Sequence, residues 1–133
     1  MKLTYDNIHK CIDAAADILN INSADITADI YRDPADDAIG YCSGDIDEVS
    51  ISINQCLKGN DWVEVLAHEL IHAKQYLHGE LEDSEPMVHY WHGNKFVTVH
   101  ELFDYDAYTR LPWEREAFSK QRSLMKQTKE SIE

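Results

Sequence analysis

The sequence predicts an α+β fold in which a small sheet packs with three helices, and three observations carry that prediction. An amphipathic helix opens the chain, short strand-like runs crowd residues 25–54, and two later helical segments set polar groups into otherwise apolar faces.

The first element is a helix over residues 7–20, where Ile8, Cys11, Ile12, Ala15, Ile18 and Leu19 form one apolar stripe. Such a stripe needs a cover, and the sheet is expected to supply it. Residues 25–32 and 38–43 read as strands, and residues 48–54 alternate with Val49, Ile51 and Ile53 on one side. These three runs are expected to pair into a small mixed or antiparallel sheet. Asn60 or Asp61 can cap a helix running to Leu77, with Gly79 as its stop. An acidic stretch, residues 80–85, follows it. Residues 88–99 read as two short strands around Gly93-Asn94, and Pro112 opens the last helix. The expected order is αβββαββα. No repeat, low-complexity tract or linker interrupts it, so residues 1–133 read as one domain.

Composition narrows the function classes. A chain of 133 residues with 44% hydrophobic content is long enough for one core and too short for two. Its 25 acidic against 12 basic side chains give a formal charge of -13, which repels phosphate backbones and anionic lipid. Nucleic acid and membrane surfaces are therefore not expected partners, while a preference for basic substrates is permitted. Cys11, Cys42 and Cys56 are odd in number and lack a C-x-x-C pair, so they read as neither a disulfide framework nor a thiolate metal site. The N-terminal residues are too polar for a signal peptide, and no apolar run is long enough to span a bilayer. A reducing cytoplasm is the expected compartment.

The chemistry lies in the helix segment His68-Glu69-Leu70-Ile71-His72. Residues four apart lie one turn apart on one face, so His68 and His72 can aim imidazole nitrogens at a single metal ion. Glu69 is rotated about 100° from His68, which sets its carboxylate beside the ion, where a general base belongs. Val63, Leu66, Leu70, Ala73 and Leu77 anchor the opposite side of the helix.

A catalytic zinc needs a third protein ligand and an open position. Three residues compete. His78 stands six residues beyond His72, but Gln75 occupies the place where a turn-forming glycine would have to break the helix, and on a continuing helix His78 points about 120° away from His72. His92 heads the string His92-Gly93-Asn94-Lys95-Phe96, in surroundings that read as strands. Glu114 is favoured. On a helix opening at Pro112 it shares a face with Ala117, Phe118, Gln121, Leu124 and Met125, while Glu116 falls about 160° away and is expected to face water. A carboxylate in an apolar stripe is costly to bury without a partner, and a metal held by the two histidines would be one.

The run from Leu66 to Leu81, the Trp91-x-Gly93 turn, and Tyr108 with Leu111-Pro112-Trp113-Glu114-Arg115-Glu116-Ala117 together resemble the small zincin-like metallopeptidases common in bacteriophage genomes. The resemblance covers about the C-terminal half. It implies a minimal zincin-like fold and a gluzincin-like site, with zinc on His68, His72 and Glu114, Glu69 as base, and a protein or peptide substrate. A phage-encoded member of that family would act in the bacterial host cytoplasm. The chain departs from the thermolysin-type pattern at Phe118, where those enzymes place an aspartate that orients a histidine; Asp104, Asp106 and backbone carbonyls stand as substitutes. The His92 string is similar to the H-G-x-x-F segment of SprT-like proteases, which use a third histidine.

The remaining roles follow from these parts. The oxyanion of a hydrolytic intermediate needs a donor, and His92, His100, Tyr105 and Tyr108 lie in the right region, with Tyr108 preferred. Substrate is expected to add as a strand to a sheet edge, for which residues 48–54 are the candidate. Trp62, Trp91 and Trp113 could line subsites or fill the core. The rival functions are a protein-binding module on the same scaffold that does not cut, against which an intact Glu69 argues, since binding alone needs no base, and a DNA-associated SprT-type protease with a third histidine ligand, against which the charge of -13 argues.

Overall fold

The computed structural model describes residues 1–98 and 104–133. Helix α1 (Tyr5–Leu19) starts where the Thr4 hydroxyl accepts the Asn7 N–H and stops at Asn20, whose left-handed φ of 58° closes the last turn. Its buried face is Ile8, Cys11, Ile12, Ala15 and Ala16. That face packs mainly on two helices, and only in part on the sheet expected to cover it. Ile18, assigned to the stripe by spacing, is exposed.

Strands β1 (Ile26–Tyr31), β2 (Gly40–Gly44) and β3 (Val49–Asn54) form a mixed sheet in the order β1-β3-β2. β3 pairs parallel with β1, Ile26 opposite Val49, and antiparallel with β2, Gly40 opposite Ile53. Both of its edges are therefore filled. The expected substrate edge, residues 48–54, is the centre of the sheet, because alternation reports which faces are buried and says nothing about strand order. Val49, Ile51 and Ile53 are buried against helix α2 (Trp62–Leu77), each burial of this kind contributing roughly 1.5–3 kcal/mol.

α2 is the hub. Asp61 caps it by accepting from the Val63 N–H, and Gly79, at φ 71°, ends it as the spacing predicts. It carries buried residues on every side, since β2 and β3, α1 and the last helix all pack on it. Beyond it the acidic stretch becomes strand β4 (Leu81–Glu85), which pairs with β5 (Val88–Trp91), and β5 pairs with β6 (Asn94–Val97). The β5–β6 turn is His92-Gly93, at φ 48° and 81°, the doubly left-handed geometry of a tight hairpin.

Two helices complete the chain: the short α3 (Tyr105–Thr109), which the sequence pattern did not reveal, and α4 (Pro112–Ile132) with proline in its first turn. α4 lies along α2 and also covers α1. The described chain is thus α+β with helices at both ends, in the order αβββαβββαα. Among the described residues no helix is long and apolar enough to cross a membrane.

Candidate functional site

α2 and α4 cross so that three side chains meet. His68 and His72, one turn apart on α2, bring their Nε2 atoms to 3.2 Å. Glu114, in the first turn of α4, straddles them, with Oε1 3.1 Å from His68 Nε2 and Oε2 3.0 Å from His72 Nε2. Among the described residues this is the group of His, Cys, Asp and Glu side chains placed to hold a metal ion. Glu114 is 3% exposed and His72 7%, so the cluster sits at the base of a cleft.

The tautomers can be read from two glutamines. The Gln75 amide nitrogen donates to the Trp113 carbonyl and to Glu116 Oε1, each at 3.0 Å, and both partners only accept. Its oxygen must therefore face His72 Nδ1, at 2.7 Å, and that nitrogen carries the hydrogen. Gln121 repeats the arrangement: its amide donates to Glu64 Oε1 at 3.1 Å, and its oxygen lies 2.7 Å from His68 Nδ1. Both Nε2 lone pairs are thereby turned toward the Glu114 oxygens. Four acceptors then converge at 3.0–3.2 Å, an arrangement that a cation or protons would hold together. Tetrahedral zinc, with bonds of about 2.0–2.1 Å, sets its ligands about 3.3 Å apart, so this donor set fits zinc.

Without a metal, protons take that role. Burial alone would lower the His72 pKa, but the Glu114 hydrogen bond and charge outweigh it and raise it from 6.5 to about 9. Burial likewise works against an ionised Glu114, yet His68 and His72 hold its carboxyl down at about 2.

Glu69 lies on the cleft side of α2, 7% exposed. Burial pushes its carboxyl upward, the two histidines pull against that shift, and Glu114 adds to it. The edge strand β2 passes directly over it. A Cβ on Gly40 would stand 3.1 Å from Glu69 Oε2 and 3.0 Å from Val65 Cγ1, so any other residue there would have to push these side chains aside by a few tenths of an ångström. The free edge of β2 therefore borders the cluster, in place of the edge assigned to residues 48–54. Tyr108, at the end of α3, lines the cleft on both sides of Glu69, and burial together with the Glu114 carboxylate raises its pKa, so its hydroxyl stays a donor.

Other sequence candidates lie elsewhere. His78 follows the last turn of α2, with its Nε2 3.0 Å from the Asn20 carbonyl, and His92 is an exposed turn residue against Trp91. Tyr105 is exposed, and His100 falls outside the described residues. Asp104 caps α3 and the Asp106 carbonyl accepts from Thr109, so the expected histidine-orienting groups are replaced by Gln75 and Gln121. Phe118 packs its ring, tilted by 60°, 4.6 Å from that of His68. Of the three tryptophans, Trp113 lines the cleft, while Trp62 is buried and donates to the Met1 carbonyl.

Glu116 corrects a second expectation. It points about 160° from Glu114, but that direction leads to the C-terminal end of α2 and not to water. There it accepts from Gln75, from Lys74 at 3.3 Å and from Lys120 at 3.0 Å. A signal for Gln75 was present, a polar residue three beyond His72 on one helix face; Glu116 had none without knowing how α2 and α4 cross. Because Glu116 and Gln75 hold His72 in one tautomer, Gln75→Leu should weaken zinc binding about 10–100-fold, and Glu116→Ala should weaken it in the same direction. Competition against a chromophoric chelator measures both, and wild-type affinity in both variants would refute the coupling.

Compared with protein-family models, curated proteins and solved structures, the chain matches none.

Proposed function

We propose that this protein is a zinc-dependent metallopeptidase with His68, His72 and Glu114 as ligands. The observation that carries the reading is the convergence of two tautomer-locked imidazoles and one carboxylate at tetrahedral ligand spacing beside a second buried carboxyl, Glu69. A structural zinc site has four protein ligands, whereas among the described residues this set has three and borders a cleft.

A bound zinc ion supplies a Lewis acid that polarises the scissile carbonyl and makes water acidic near neutral pH. Glu69, with its proton affinity raised by burial, accepts the proton of the attacking water and passes it to the departing amine. Tyr108 donates its hydroxyl hydrogen to the oxyanion that develops on the carbonyl. The free edge of β2 aligns an extended peptide through backbone hydrogen bonds, with Gly40 admitting it close to Glu69.

Metal analysis of the purified chain, an anomalous map at the zinc edge and a casein or peptide-library assay with and without chelator test the reading together. One zinc per chain and chelator-sensitive cleavage are expected. Zinc held without cleavage would favour a binding module on the same scaffold.

A further inference from the structure

A recess of about 280 Å³ opens from the His72 side of the cluster and is lined there by Glu69, His72 and Glu114. That is near the lower end of the range for small-molecule pockets and has room for one long side chain. Leu81 and Leu111 are its aliphatic walls, Trp113 and Tyr76 its aromatic ones. Asp83 reaches into it from β4, where the backbone bulges between Asp83 and Glu85.

The Asp83 carboxylate is held in place by two neighbours. Tyr76 donates its hydroxyl to Oδ2 at 2.7 Å, and His89 Nδ1 lies 2.5 Å from Oδ1, with its other nitrogen 3.1 Å from the Thr98 hydroxyl. Two donors leave about half of a carboxylate's lone-pair sites open, and the side chain keeps 39% of its surface accessible. Among the described residues no lysine or arginine lines the recess. Asp83, Glu69 and Glu114 together outweigh the two charges of a divalent ion. The recess thus combines aliphatic and aromatic walls for a methylene stem with a fixed carboxylate for its cationic end, which is the complement of arginine and of lysine.

We propose that the recess is a specificity subsite for an arginine or lysine side chain flanking the scissile bond, with Asp83 as its anchor and Tyr76 and His89 as the residues that position Asp83. The inference rests on the peptidase reading for the word scissile, but the cation preference belongs to the recess itself. The overall charge of -13 favours approach of the same substrates.

The test uses binding and cleavage as separate arms. Acetyl-arginine amide, acetyl-norleucine amide and acetyl-glutamate amide are titrated into the metal-free and zinc-loaded protein, following the Trp113 indole signal by NMR. Arginine should bind about tenfold more tightly than norleucine, the scale of one charge-assisted hydrogen bond, and glutamate least. Asp83→Asn should erase the difference between arginine and norleucine. The wild-type comparison stands without any variant, so a misfolded Asp83→Asn protein leaves the idea exposed to refutation. Equal binding of the three amides, or an arginine preference that survives in a folded Asp83→Asn protein, overturns the subsite. In the second arm, cleavage of a peptide library beside arginine or lysine is expected, and cleavage beside apolar residues alone also overturns it. An arginine preference in binding with no cleavage of any peptide sinks the peptidase reading and leaves the cation site standing.

Discussion

Glu69→Gln should keep one zinc per chain and lose about 10²–10⁴ in kcat, while the metal-free protein becomes more stable to heat. The first half follows from geometry. Glu69 is not among the converging ligands, and a glutamine in its place cannot take a proton from water, so the general-base contribution disappears. The second half follows from the direction of its pKa. Burial raises the folded-state value above the ordinary 4.5, so the ionised carboxylate destabilises the fold progressively as pH rises above 4.5. Glutamine has the same shape and no charge to desolvate. Zinc stoichiometry, steady-state kinetics and a melting curve at neutral pH measure the three effects. A variant that stays active, or one that loses its zinc, would remove Glu69 from the role of base.

Glu114→Ala should lower zinc affinity by orders of magnitude and abolish cleavage, because two histidines alone hold the ion loosely. It should also change how the metal-free protein responds to pH. In the folded chain His72 titrates at about 9 against 6.5 when unperturbed, so its pairing with Glu114 stabilises fully below 6.5 and is lost as pH rises through about 9. Glu114 titrates at about 2 against 4.5, so its own contribution is present above 4.5 and is lost as pH falls through about 2. Between 4.5 and 6.5 both contributions are in place. Metal-free wild type should therefore be most stable in that window and melt earlier toward pH 9, whereas Glu114→Ala should weaken the alkaline decline, since only Glu69 and Gln75 then oppose the effect of burial on His72. For the same reason zinc must displace a proton from His72 at neutral pH, and its affinity should climb until about pH 9. Thermal scans and zinc titrations across this range check each part; an identical pH profile in wild type and Glu114→Ala would falsify the pairing.

The features legible in the sequence were those set by local periodicity. A spacing of four placed His68 and His72 on one face of α2, and the 3.6-residue repeat turned Glu114 and Gln121 to one side of α4. Asp61, Gly79 and Pro112 marked helix ends because their backbone and side-chain chemistry acts on neighbours in the chain. The alternation of Val49, Ile51 and Ile53 identified a buried strand face for a similar reason.

What depends on contacts between distant segments stayed hidden until the helices and strands were packed. Strand order made β2 the free edge over Glu69, where Gly40 lets the strand pass without displacing the Glu69 and Val65 side chains. The crossing of α2 and α4 turned Glu116 from an expected surface residue into the anchor of Gln75, and replaced an orienting aspartate by two glutamine amides. The β4–β5 pairing brought Asp83 to His89 and both to the cleft, although Asp83 reads in the sequence as one acid in an acidic run. The physical division is one of range. Helix and strand periods fix where a side chain points around its own axis, and which partner waits in that direction is decided by burial of the apolar faces of all elements at once.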